Sequence, residues 1–202
     1  MKNLLELQGV HVEIQTAGNG RVFPLQGIDL KVGEQEAVGL VGESGSGKSM
    51  TLRAILRLLP HGGCQTQGEI SLSGDRLDNA EDAYFETIRG RQISMIFQDP
   101  VSALSPLLSI GNQISDIYRY SIRATKAEGW DRALSLLEAL GIETPGKVAR
   151  RYPHQMSGGM AQRINIAMAL VCEPQLLLAD EPTTGLDVTT QMQVLELLKT
   201  QL

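Results

Sequence analysis

Cysteine is scarce: Cys64 and Cys172 are the two in the chain, far apart and without metal-ligand spacing, which excludes a disulfide framework and a zinc cluster. Aromatic residues make up 4% of the sequence, and no run of Lys and Arg interleaves with them. With a formal net charge of -5, no nucleic-acid partner is expected. No apolar run approaches the roughly twenty residues of a membrane span, so any membrane role is peripheral. The opening MKNLLELQGV lacks the apolar core and cleavage site of a secretion signal, and free thiols in a reducing cytoplasm are the expectation. The 202 residues suffice for one domain with a real core and an inserted subdomain.

Glycine is plentiful, and its placement marks the centre of the chain. The stretch VGLVGESGSGKSMTLRAILRLL, 38–59, begins as a short apolar strand at Val38, Leu40 and Val41. It breaks into a glycine-rich turn and resumes as a helix with Leu52, Ile55, Leu56 and Leu59 at helical spacing. Gly42, Gly47, Lys48 and Ser49 fit the phosphate-binding pattern of glycine, four residues, glycine, lysine and serine or threonine. A loop that wraps anionic oxygens must turn its backbone N–H groups inward, through dihedrals that Gly42, Gly45 and Gly47 permit. The following helix aims its positive end at the same phosphates. Lys48 should reach the β- and γ-phosphates and Ser49 should ligate Mg²⁺. The nucleotide-binding residues expected here are Gly42, Glu43, Ser44, Gly45, Ser46, Gly47, Lys48, Ser49 and Met50.

From Leu4 to Val32 apolar residues alternate with polar ones (Val10, Val12, Ile14, then Ile28, Leu30, Val32), which predicts half-buried antiparallel strands around a hairpin loop at Thr16 to Arg21. Phe23 either stacks on an adenine ring or packs in the core beside Leu25. Pro60, Gly62 and Gly63 end the central helix, and Glu69 to Leu72 returns to alternation before a Ser73-Gly74-Asp75 turn. Ile93 to Phe97 is an apolar strand that delivers Gln98 at its end, where it could touch Mg²⁺ or an attacking water or stay a surface residue.

From Val101 to about Tyr152 the pattern is helical. Thr125 and Glu128 have capping-box spacing, with Trp130, Leu134, Leu137 and Gly141 as inner face and stop. No catalytic constellation appears there, which suits contact with a partner. Ser157, ahead of Gly158 and Gly159, is an N-cap that is either only a cap or a second phosphate site, serving a nucleotide on another subunit. Leu176 to Ala179 forms a buried strand ending in Asp180 and Glu181. Asp180 can hold Mg²⁺ through water, and Glu181 can take a proton from, or orient, the attacking water; otherwise the paired acids are helix-capping charges. Pro182 to Asp187 turns the chain into a helix over Val188 to Leu198.

GESGSGKS, FQDP, MSGGMAQR, LLLADEP and TTGLD stand in the order in which they occur in the nucleotide-binding domain of the ATP-binding cassette family, which this chain resembles over nearly its whole length. The resemblance implies an α/β fold: a P-loop NTPase core with an antiparallel β subdomain and an inserted helical subdomain. Residues 1–202 would form one ATPase domain, with 1–100 and 160–202 as the core and 101–159 as the helical subdomain. It further implies ATP as substrate, Mg²⁺ as cofactor, and a head-to-tail dimer. In that dimer Lys48 and Ser49 face Ser157, Gly158 and Gly159 of the other subunit, and Asp187 lies at the interface.

GESGSGKS, RYPHQMSGGMAQR, and FQDP followed by SALSPLLSIGNQI resemble the ATPase subunits of oligopeptide, dipeptide and nickel importers. That subgroup implies a second ATPase subunit, as heterodimer first and homodimer as the alternative. It also implies two transmembrane permease subunits, an extracytoplasmic solute-binding protein acting indirectly, and a peripheral place on the cytoplasmic face of the plasma membrane. Met160 departs from the family's usual glutamine, which the importer subgroup tolerates. The family's switch histidine follows the TGLD aspartate after another strand, and the sequence ends at Leu202 ahead of it, so the last strand, the switch and the C-terminal extension are expected to be missing. The rival functions are a soluble ATPase of DNA repair or chromosome maintenance, which usually carries coiled-coil or zinc inserts not seen here, and a non-hydrolysing nucleotide sensor, against which Glu181 argues.

Overall fold

β1 (Asn3–Thr16) and β2 (Gly20–Gly33) arise from the alternation, because successive side chains of a strand point to opposite faces. Leu5, Leu7, Val10 and Val12 are all buried, an irregularity in the ladder between Leu7 and Val10 interrupting the strict alternation, and antiparallel pairing sets Leu7 opposite Leu30 and Val10 opposite Ile28. β3 (Gly63–Leu72) lies along the other edge of β1, with Leu7 opposite Ile70. β4 (Asp75–Arg76) completes a sheet in the order β2-β1-β3-β4. The expected Ser73-Gly74 turn is present: Leu72 pairs with Asp75, and both turn residues have positive φ, 52° and 95°, as a two-residue hairpin requires.

This computed structural model describes residues 3–16, 18 and 20–199. Ala17 and Asn19 of the expected hairpin loop, the first two residues of the opening stretch and residues 200–202 lie outside the described residues. The chain divides into two compact units, Met1–Glu86 and Thr87–Leu202. Among the described residues no helix is long and apolar enough to cross a membrane.

Two expectations in the first unit are corrected. α1 (Lys48–Ile55) stops a turn before Leu59. Arg57 adopts a left-handed φ of 52°, its N–H donates to Ala54 O at 3.1 Å, and Leu58 N–H donates to Arg53 O at 2.8 Å, the paired bonds of a Schellman stop. Glycine usually occupies that position. Here the arginine side chain offsets the backbone strain: it lies 4.7 Å over the Phe85 ring, donates to Asp82 Oδ1 at 3.4 Å and donates to Leu77 O. The second correction is Val38 to Val41, which forms no strand; Val41 is 98% exposed. A short run has no ladder of its own and becomes a strand only against a neighbour's edge, and among the described residues none pairs with it.

α2 (Asp82–Ile88) carries the division between the units. In the second, β5 (Ile93–Ile96) and β6 (Leu176–Ala179) pair in parallel, Ile93 with Leu176 and Ile96 with Ala179. α3 (Ile110–Ile122), α4 (Lys126–Ala139), α5 (Pro145–Val148) and α6 (Gly158–Leu170) bury Ile110, Ile114, Leu137, Ile164 and Ile166 with Ile96 in one core. The capping box of α4 is formed: Glu128 N–H donates to Thr125 Oγ1 at 3.3 Å and Thr125 N–H donates to Glu128 Oε2 at 2.7 Å. The Thr125 hydroxyl also donates to Glu128 Oε2 at 2.7 Å, and this bond first, then the Thr125 N–H, holds the Glu128 carboxyl below the usual range. Gly141, at φ 73°, ends that helix as expected. α7 (Val188–Lys199) follows the turn after β6. Both cysteines are free, and burial pushes the Cys172 thiol up.

Candidate functional site

In the first unit the loop Gly42 to Gly47 leads into α1. Gly45 and Gly47 have φ of 82° and 94°, a region that L side chains resist. Gly47 is also hemmed in: a Cβ there would fall 2.9 Å from Pro24 O. Gly42 contributes differently, because a Cβ on it would meet Ser46 Oγ at 2.6 Å. Its lack of a side chain lets Ser46 close the turn, with Ser46 N–H donating to Glu43 O at 3.2 Å. The Lys48 ammonium lies inside this turn, donating to Gly42 O at 2.6 Å and Glu43 O at 2.7 Å, with Ser46 Oγ at 3.4 Å. Ser49 and Met50 follow in the first turn of α1, which has no acid to oppose the positive helix end. Ser44 lies in the exposed turn. Phe23 is 47% exposed whereas Leu25 is 1% exposed, so Phe23 is not the core residue of the two readings, and it directly precedes Pro24, whose carbonyl abuts Gly47.

In the second unit the parallel pair brings two candidates to neighbouring strand ends. Gln98, exposed, follows β5. Asp180 follows β6; it is 6% exposed, and its N–H donates to Ile96 O at 3.0 Å. Glu181 is exposed and has φ 50°, a left-handed backbone rare for glutamate, while its Oε2 accepts from Thr184 Oγ1 at 3.1 Å. The aspartate of FQDP is a turn former instead: Asp99 Oδ1 accepts the N–H groups of Val101 and Ser102.

Ser157 is the N-cap of α6, its Oγ accepting Met160 N–H at 3.3 Å, with Gly158 and Gly159 in the first helical turn. Asp187 plays the same part for α7: Thr190 N–H donates to its Oδ1 at 3.0 Å and Thr190 Oγ1 to its Oδ2 at 2.6 Å. The threonine hydroxyl, then its backbone N–H, holds the Asp187 carboxyl below its ordinary value.

Three amides that sequence reasoning passed over hold these loops. Asn165 Nδ2–H donates to Phe97 O at 2.8 Å, and Gln162 Nε2–H donates to Pro182 O at 2.7 Å. Gln191 Nε2–H donates to Thr183 O and Leu186 O at 3.2 Å each. One signal was available: Asn165 interrupts the apolar run INIAMALV, where an amide is costly to bury unless hydrogen-bonded.

A glycine-turned loop closing on a lysine, followed by a helix, and acids at the end of a buried parallel strand are the parts from which phosphate-binding ATPase folds are built. The comparisons agree. Over 96% of this chain and 81% of the other, the dimeric structure of a post-hydrolysis state of the ATP-binding cassette MJ0796 bound to ADP and Pi matches with a TM-score of 0.86 at 31% identity. The Probable D,D-dipeptide transport ATP-binding protein DdpD of Escherichia coli (strain K12) is 47% identical over 97% of this chain and 60% of its own length. The Dipeptide transport ATP-binding protein DppD of Bacillus subtilis (strain 168) is 45% identical over 98% of this chain and 59% of its own. The chain thus spans about three fifths of the length of these relatives. The family model described as ABC transporter matches residues 25–184, a range that holds the phosphate loop, both strand ends and the Ser157 turn, and the chain belongs to the ABC transporter family.

Proposed function

We propose that this chain is the ATP-binding and ATP-hydrolysing part of an importer for peptides. The observation that carries the reading is the Lys48 ammonium enclosed by its own loop, 2.6 Å from Gly42 O. A cation held on loop carbonyls is poised to exchange them for the β- and γ-phosphate oxygens of ATP. Gly45 and Gly47 keep the backbone in the turn that presents N–H groups to those oxygens. Phe23 offers its exposed ring to the adenine. Glu181 takes a proton from the attacking water or orients it.

Ser49, Gln98 and Asp180 are the residues to hold Mg²⁺: a hydroxyl, an amide oxygen and one carboxylate are hard donors that suit it. The ion, when bound, would neutralise charge on the phosphates. Ser157, Gly158 and Gly159, at the positive end of α6, serve a nucleotide held by the partner subunit, with Asp187 at that interface.

The names of the relatives, dipeptide and D,D-dipeptide transport, favour peptides over nickel chelates and over DNA maintenance. The dimeric structure of the similar cassette supports a second ATPase subunit, which we take as a different chain first and a copy of this one as the alternative. The same reading takes in two membrane subunits, an extracytoplasmic binding protein acting indirectly and a peripheral place at the cytoplasmic face of the plasma membrane. The match over residues 25–184 supports one cassette domain over 1–202, in which we take 1–100 and 160–202 as the core and 101–159 as the helical subdomain.

The test is ATP turnover and nucleotide binding by the full-length protein with Mg²⁺, beside Glu181→Gln. Turnover that vanishes in the variant while binding persists supports the reading. Equal turnover in both sinks it.

A further inference from the structure

One face of α6 carries two of the amides described above, Gln162 and Asn165. They stand three residues apart, hence on the same side of the helix, and are 1% and 2% exposed. Asn165 grips Phe97 O, one residue before Gln98. Gln162 grips Pro182 O, one residue after Glu181. The other end of the Gln162 amide, Oε1, is buried with no hydrogen-bond partner among the described residues. An unpartnered buried acceptor is destabilising, and methionine would fill the same space without burying one. The amide is therefore not explained by packing.

We propose that Gln162 and Asn165 are positioning residues that tie Glu181 and Gln98 to α6, so that the helix carrying Ser157, Gly158 and Gly159 in its first turn sets where both side chains stand. The inference rests on the ATPase reading above. α6 is a single helix of 13 residues, and the two amides stand five and eight residues beyond Ser157. A displacement of the Ser157 turn is carried to the two strand ends together. Glu181 depends on such support, because its left-handed φ of 50° is a strained backbone that its surroundings must hold in place. Its carboxylate is steadied by Thr184, and the backbone beside it by Gln162. Losing the second anchor lets the carboxylate drift, and a displacement of about 1 Å at a reacting group costs on the order of a hundredfold in rate.

The experiment measures steady-state ATP turnover and nucleotide affinity of the full-length protein in its assembled complex, as wild type, Glu181→Gln, Gln162→Met and Gln162→Glu. Gln162→Met is expected to lower kcat roughly tenfold or more while KM for ATP and nucleotide affinity stay within about twofold. Gln162→Glu is expected to recover turnover at low pH. Burial keeps its carboxyl protonated there, and the O–H donates to Pro182 O. The ratio to wild type at the same pH should fall as pH rises and the carboxyl ionises. A Gln162→Met protein with wild-type kcat overturns the proposal, and so does one in which nucleotide affinity is lost along with kcat. Should Gln162→Met not fold, the pH profile of Gln162→Glu decides, and a flat ratio overturns the proposal. Glu181→Gln separates the two failures. Wild-type turnover that it abolishes leaves the ATPase reading standing when the Gln162 inference falls, and turnover that it leaves intact removes both.

Discussion

Around Lys48 the bonds that shape the loop are short in sequence: Nζ reaches back six residues to Gly42 O and five to Glu43 O, and Ser46 N–H closes on Glu43 O. Around Gln98 and Glu181 a short bond, Thr184 to Glu181, is joined by long ones. Asn165 reaches a carbonyl 68 residues away and Gln162 one 20 residues away. The first region is a solvent-exposed turn whose shape is written in its own glycines. The second is a pair of strand ends whose shape is imposed by a helix packed on them. A local site tolerates change elsewhere in its unit, whereas a site clamped from a distance transmits it.

The largest effect that sharpens this contrast is expected from Lys48→Ala. Losing the one cation inside the loop should weaken ATP binding roughly a hundredfold, read by nucleotide titration, with thermal stability little changed. Tight ATP binding by this variant would refute the assignment of the loop. Next come the loop glycines. Gly47→Ala combines a left-handed φ of 94° with a 2.9 Å approach to Pro24 O, whereas Gly45→Ala has φ 82° and open space. Gly45→Ala is expected to cost about 1 kcal/mol and Gly47→Ala clearly more, in chemical denaturation. The reverse order would mean that the loop is not held by its own backbone.

Thr125→Ala removes a locally specified cap from the second unit. About 1 kcal/mol of stability should be lost with ATP turnover per folded molecule unchanged, and a fall in kcat at constant stability would break the distinction between local and long-range control. The smallest effect is expected at Asp187. Its folded carboxyl is held below the ordinary value by Thr190, so its contribution is present above the unfolded carboxylate range and lost as pH falls through the folded one. Denaturation across about pH 6 to 3 should be less acid-sensitive in Asp187→Asn, and an unchanged acid limb would remove the cap from the account.

The loop glycines, Lys48, the Thr125 cap, the Ser73-Gly74 turn and the alternation of β1 and β2 were legible in the sequence, because each depends on residues within a few positions of one another. The strand ends at Gln98, Asp180 and Glu181 were legible for a related reason, since short apolar runs end there. What could not be read was what holds those ends. A glutamine or asparagine at a given helical position is compatible with solvent, with packing or with a carbonyl far along the chain, and packing of α6 against β5 and the loops that follow the strands made the choice for Gln162 and Asn165. The same holds for Arg57, whose stop of α1 depends on Phe85 and Leu77. It holds most plainly for Val38 to Val41, strand-like in composition yet without a ladder. Backbone dihedrals and caps are chosen by neighbours in sequence. Hydrogen-bond partners of buried amides and of strand edges are chosen by neighbours in space, and those the tertiary structure alone decided.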